Sequence, residues 1–287
     1  MNWMQEYYNQ IKSGNIIAGK KVKKIYEKLV EESQDDTLPF YFDEAKGERP
    51  IQFIERFCKQ SEGEIGKPIK LELFQKAYIQ ALFGFLWRDT NKRRFNETMF
   101  LVGRKNGKTT MLSAIALYMM IADGEGGAEC YSVATKKDQA SKSFKSACAM
   151  RSQSPEIRAI TTKRRTDMYM PSTFSSFEPL SSDANTLDGL NSHLVIIDEL
   201  HAIKDRNLYE VMKQSTSSRT QPLVAMITTA GTIRECIFDD IYEYANNILD
   251  GTIKNDAFLP VLYELDKTEE WQNVKYWIKA NPRYRNY

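Results

Sequence analysis

The chain is poor in the residues that build small stapled or metal-held folds. Its four cysteines, Cys58, Cys130, Cys148 and Cys236, lie far apart, and no C-x-x-C pair occurs. With only two histidines besides, a structural zinc site and a disulfide framework are both excluded as organising features. No apolar run reaches the length that spans a bilayer. The start, MNWMQEYYNQ, lacks the basic-then-apolar order of a secretory signal, so a cytoplasmic protein is expected. Charge of one sign is also lacking. Forty Lys and Arg against 38 Asp and Glu leave a net +2, which by itself says nothing about nucleic acid. Three local basic runs stand out, Lys20–Lys24, Lys92–Arg94 and Lys163–Arg165, and each reads first as a solvated face.

What is present is enough apolar residue, 42 % of 287, to bury one large α/β domain with appended parts. Residues 1–95 read as a helical, polar region. KKVKKIYEKLVEES, IQFIERFCKQ and FQKAYIQALFGFLW carry apolar residues at helical spacing, and DDTLPFYFDEAKGERP interrupts them. From residue 96 to 232 short apolar runs alternate with helical stretches. TMFLV, ECYSVAT, HLVIID and PLVAMITT are strands, DMYMPSTFSSFEPL is a hairpin, and helices lie between. That alternation implies a mainly parallel sheet with helices on both faces. Residues 233–287 are expected as a smaller linker or lid with a helix over 233–249, a strand over 258–264 and a helix over 268–279.

The most informative stretch is LVGRKNGKTT, residues 101–110. The phosphate-loop pattern G-x-x-x-x-G-K-[ST] requires a glycine at 102, but Val102 is there and the glycine is Gly103. Strand, glycine loop and helix in that order nevertheless suit a nucleotide phosphate site. Backbone N–H groups of Gly103, Arg104, Lys105, Asn106, Gly107, Lys108, Thr109 and Thr110 would wrap the phosphates of ATP. Lys108 would reach the β- and γ-phosphates, and the Thr109 hydroxyl would ligate Mg²⁺. LVIIDELHA is a buried strand ending in two carboxylates. Asp198 is expected to hold Mg²⁺ through water and Glu199 to orient and deprotonate the attacking water. In MITTAG, Thr228, Thr229 and Gly231 end an apolar strand where hydroxyls can meet a ligand at the carboxyl edge of the sheet.

GRKNGKTT, SVATKKDQASKSF, PLSSDANTLDGLNSHLVIIDELHA, MITTAG and WIKANPR, in that order over nearly the whole chain, resemble the ATPase region of the large terminase subunit of tailed bacteriophages. The resemblance implies a P-loop NTPase fold of the RecA/ASCE kind. It makes Arg104, beside the shifted glycine, a cis arginine finger, Phe74-Gln75 the aromatic–glutamine pair facing adenine, and Thr228 to Gly231 the motif coupling hydrolysis to DNA movement. It further implies translocation of double-stranded DNA into a procapsid, in the cytoplasm of a bacterial host. The partners would be the small terminase subunit, the portal protein and copies of this chain in a ring. The RNase H-like nuclease domain of such proteins is expected to be absent, since the sequence ends at Tyr287. Arg206, Arg219 and Arg234 are candidates for an arginine reaching a neighbour's site. A helicase-like ATPase and a non-catalytic assembly module are the alternatives.

Overall fold

The computed structural model describes residues 1–181, 187, 189–203, 206–229 and 236–284. The N-terminal region holds helices α1 (Trp3–Lys12), α2 (Lys20–Glu32), α3 (Glu44–Phe57) and α4 (Leu73–Gly84). Strands β1 (Phe40–Phe42) and β2 (Phe85–Trp87) pair antiparallel beside them. In α2 the apolar stripe Val22, Ile25, Tyr26, Leu29, Val30 is the buried face, as its three-and-four spacing requires. The stretch expected as an interruption divides differently. Its first part is β1, and its second opens α3, with the Asp43 carboxylate accepting from the Lys46 N–H at 2.9 Å as N-cap. Gly47 and Pro50 read as helix breakers in isolation, yet both lie buried within α3. Gly47 is required by packing: a Cβ there would sit 2.8 Å from the Gln80 carbonyl of α4. Close contact between the two helices thus outweighs weak propensity.

The main sheet has eight strands: β3 (Glu97–Leu101), β4 (Glu129–Ala134), β5 (Thr162–Lys163), β6 (Met168–Met170), β7 (Ser175–Ser181), β8 (Ser192–Asp198), β9 (Leu223–Thr228) and β10 (Phe258–Leu262). Their order is β10-β3-β9-β8-β4-β7-β6-β5. Every pairing from β10 to β7 is parallel, and β5 and β6 continue antiparallel. Strands β3, β8, β9 and β10 are buried at every residue, so both faces are covered, as near-continuous apolar runs predict. Helices α5 (Lys108–Ile121), α6 (Lys137–Gln153), α8 (Arg206–Gln214) and α9 (Ile237–Asp250) supply that cover together with α2, and α7 (Pro155–Ile160) packs on α6. The expected hairpin is β6–β7, and β7 additionally pairs with β4. The segment 233–287 contributes α9 and also β10, which closes the main sheet beside β3. Its last expected helix is instead two 3₁₀ turns, Thr268–Gln272 and Val274–Lys279. Asn273 separates them and caps the second by accepting from the Lys275 N–H.

Strand β9 stands between β3 and β8, so the loop strand and the acidic strand are not neighbours. The registers align their carboxyl ends: Leu101 is level with Thr228, and Asp198 with Ile227. Ligands meet a parallel sheet at that edge.

Candidate active site

The loop from Gly103 to Gly107 joins β3 to α5, and its form explains the shifted glycine. Val102 is fully buried and continues the strand, its N–H donating to the Thr228 carbonyl at 3.2 Å. No glycine is needed there. At 103 one is, because residues 280–281 lie against the loop. The Gly103 N–H donates to the Ala280 carbonyl at 2.9 Å, and a Cβ on Gly103 would stand 1.9 Å from Asn281 Oδ1. Gly107 has φ +75°, the left-handed conformation that lets the chain turn into α5. Asn106 pins the loop. Its Nδ2 donates to the carbonyls of Gly103 and Arg104 and to Asn281 Oδ1, each at 3.1 Å, and its Oδ1 accepts from the Arg283 N–H at 3.0 Å.

Lys108 opens α5 with its Nζ donating to the Val102 and Gly103 carbonyls at 3.0 and 3.3 Å. Burial pulls its pKa down, against the pull of Glu199 and Asp198. Thr109 and Thr110 follow in the first helical turn, and Arg104 and Lys105 are exposed at the rim. Arg104, Lys105, Gly107, Lys108, Thr109 and Thr110 line a cleft of about 1010 Å³ with Glu199, Gln75, Arg283 and, from α6, Lys142 and Lys145, whereas Gly103 and Asn106 do not. Gln75 reaches this cleft by a capping box: its Oε1 accepts from the Glu72 N–H, and its Nε2 donates to the Asn106 carbonyl at 3.2 Å. Phe74 lies behind it, its ring packed edge-on against Tyr263 with centroids 5.7 Å apart.

Asp198 ends β8, 8 % exposed. Burial and the charge of Glu199 push its pKa up, and Lys108 opposes them. Glu199 has φ +57° and ψ +50°, a conformation that costs a non-glycine residue about 1–3 kcal/mol. Its N–H holds it there, donating to the Ile227 carbonyl at 2.9 Å and to Asp198 Oδ1 at 3.0 Å. Thr228 is fully buried and its hydroxyl donates to the Thr229 carbonyl at 2.9 Å. Gly231 lies outside the described residues. The Thr109 hydroxyl in the first turn of α5 and the Asp198 carboxylate at the end of β8 are oxygen donors of the kind Mg²⁺ accepts beside waters and phosphate oxygens. Among the described residues no three His, Cys, Asp or Glu side chains group as a self-sufficient metal site.

Residues 73–247 match the family model described as the terminase large subunit, ATPase domain. The chain belongs to that family. The large terminase subunit of Enterobacteria phage HK97 is 27 % identical over 245 residues, 83 % of this chain and 46 % of the relative. That of Lactococcus phage p2 is 24 % identical over 290 residues, 98 % of this chain and 52 % of the relative. The chain thus spans about half the length of the curated relatives it matches. The crystal structure of the HK97 large terminase shares the fold, with a TM-score of 0.71 at 22 % identity over 83 % of this chain and 48 % of that one.

Two of the arginines considered for a terminase neighbour's site are described. Arg219, 8 % exposed, is committed: it donates to the carbonyls of Asn191, Gly126 and Gly127 and pairs with Glu125, near the amino end of β9. Arg206, 60 % exposed, pairs with Glu210 and Asp240. Arg234 lies outside the described residues. The basic runs are not uniform faces either. Arg93 and Arg94 are core residues, Arg93 paired with Asp123 and Arg94 with Glu32, and the Arg94 guanidinium lies 3.4 Å from the centroid of the Phe40 ring.

Residue-by-residue reading of the sequence left out three members of this site, His201, Asn281 and Arg283. His201 Nδ1 lies 2.9 Å from Thr228 Oγ1 and 3.3 Å from Glu199 Oε2. A histidine two places after the acidic end of a buried strand was the available signal. For Asn281 and Arg283 it was the segment WIKANPR, whose docking on the loop depends on long-range packing. Among the described residues no helix is long and apolar enough to cross a membrane.

Proposed function

We propose that this cleft binds and hydrolyses Mg-ATP to drive double-stranded DNA into a viral procapsid in the host cytoplasm. The small terminase subunit and portal protein would be partners, and copies of the chain would assemble as a ring. What supports the chemistry is that Lys108, Thr109 and Glu199 line one cleft, with Asp198 near enough to act on the Lys108 charge; family membership carries the DNA. Backbone N–H groups from Arg104 to Thr110, at the loop and the start of α5, attract phosphate oxygens; that of Gly103 is already bonded to Ala280. Lys108, a partly desolvated ammonium, braces the β- and γ-phosphates. Mg²⁺, held by Thr109 and Asp198, would neutralise phosphate charge and align the leaving group. Glu199 orients the attacking water and accepts its proton. Arg104, exposed at the rim, extends a planar guanidinium to the γ-phosphate oxygens as charge develops on them. Gln75, supported by Phe74, borders the purine side. Thr228, Thr229 and Gly231 pass the change at the γ-phosphate into the sheet.

The test is phosphate release by the whole chain with and without duplex DNA, comparing wild type with Lys108→Ala. The variant is expected to lose activity by orders of magnitude with an unchanged circular dichroism spectrum. Near-normal turnover in Lys108→Ala would overturn the assignment.

A further inference from the structure

Of the two histidines, His193 is buried against Asp123 at the start of β8, and His201 follows its end. The left-handed Glu199 feeds a 3₁₀ turn, Leu200–Ala202, which folds the His201 ring back over the strand ends. Its Nδ1 thereby meets the Thr228 hydroxyl at 2.9 Å and the Glu199 carboxylate at 3.3 Å. Its own carbonyl accepts from Cys236 Sγ at 3.9 Å, at the N-cap of α9. The protonation of Nδ1 follows from its partners. The Thr228 hydroxyl hydrogen is directed to the Thr229 carbonyl, so its oxygen offers lone pairs to the ring. A carboxylate offers only lone pairs. Both neighbours accept, so Nδ1 carries the hydrogen, which is bonded to Thr228 Oγ1, with the Glu199 carboxylate 3.3 Å away on the same side.

We propose that His201 is a positioning residue that ties the Glu199 carboxylate to Thr228 by sharing this one N–H between them. The inference rests on the hydrolytic role of Glu199 given above. A single N–H cannot serve two acceptors fully. When the Glu199 carboxylate turns toward water and γ-phosphate, the hydrogen passes wholly to Thr228. When it turns back, Thr228 loses part of that bond. The position of Glu199 is thereby registered at the end of β9 and, through the His201 carbonyl, at the start of α9. The same bond limits the carboxylate to orientations useful for placing water.

The test compares His201→Ala, His201→Asn and His201→Gln in the whole chain. Asn places an amide N–H near the Nδ1 position, whereas Gln places it near Nε2. His201→Ala should bind ATP within twofold of wild type and lose turnover on the order of 10²-fold with little change in KM, since misplacing a catalytic group acts on kcat. Its stimulation by duplex DNA should vanish. Asn should restore most of the rate and Gln little of it. Separately, nitrogen-15 spectra of the two histidine rings should find hydrogen on Nδ1 of His201, and Thr228→Val should move that resonance but not those of His193. Turnover of His201→Ala within twofold of wild type, equal rescue by Gln and Asn, or hydrogen on Nε2 alone would overturn the proposal. A wild type without turnover, indistinguishable from Lys108→Ala, would instead sink the ATPase reading. The ring spectra, recorded without ATP, would still decide whether the shared bond exists.

Discussion

Gly103→Ala tests why the loop's first glycine is displaced by one residue. The added Cβ would stand 1.9 Å from Asn281 Oδ1, 2.7 Å from its Cγ and 3.0 Å from the Ala280 carbonyl oxygen. The Gly103 backbone is held by its bond to Ala280, so the Asn281 amide must swing out. That breaks the 3.1 Å bond from Asn106 Nδ2, worth about 1 kcal/mol. Residual crowding against Ala280 brings the loss to about 1–3 kcal/mol. Residues 280–283 carry the loss, so hydrogen exchange should quicken there and at the Gly103 amide, with a smaller drop in melting temperature. Asn281→Ala alone should cost about 1 kcal/mol through the same bond. In that background Gly103→Ala should add little, because the clashing amide is gone. Additive effects in the double variant, or unchanged exchange in Gly103→Ala, would refute the reasoning.

Arg104→Ala should bind ATP nearly normally and melt like wild type, because the side chain is exposed, while kcat falls about 10³-fold or more. Arg104→Lys should rescue poorly, since an ammonium lacks the planar fork; steady-state kinetics beside melting curves check both. Asp198 has its folded pKa raised above the unfolded value by burial and by Glu199. The native chain therefore holds more protons than the unfolded chain between those two pKa values, so stability falls as pH rises through that window. Above it, Asp198→Asn, which keeps an acceptor for the Glu199 N–H, should melt higher than wild type in Mg-free buffer while losing Mg-dependent ATP affinity. The melting difference should shrink as pH falls into the window, and titrated melting curves measure it.

The parallel core was legible because its signals are local. Runs such as HLVIID and PLVAMITT are buried on both faces, and a strand–loop–helix order carries the GKT wherever its first glycine falls. The place of the acidic pair was legible for the same reason: Asp198 ends the apolar strand β8 and Glu199 follows it. What escaped depends on contacts between distant segments. Gly47 and Pro50 look like breakers until α4 is packed against α3. Strand β10 looks like part of a separate lid until it pairs with β3. Asn281 gains its meaning from Gly103, and His201 from the left-handed turn at Glu199 that brings its ring to Thr228. No periodicity encodes a positive φ at a glutamate.

The most direct measurement is a comparison of Glu199→Gln with wild type in ATP binding and single-turnover hydrolysis, in the presence of Mg²⁺ and duplex DNA. The predicted result is that Glu199→Gln retains ATP with near-normal affinity and does not cleave it, because the variant keeps the phosphate loop and loses only the group that orients and deprotonates water. Cleavage at the wild-type rate would contradict the account, as would loss of ATP affinity in Glu199→Gln with affinity intact in Asp198→Asn.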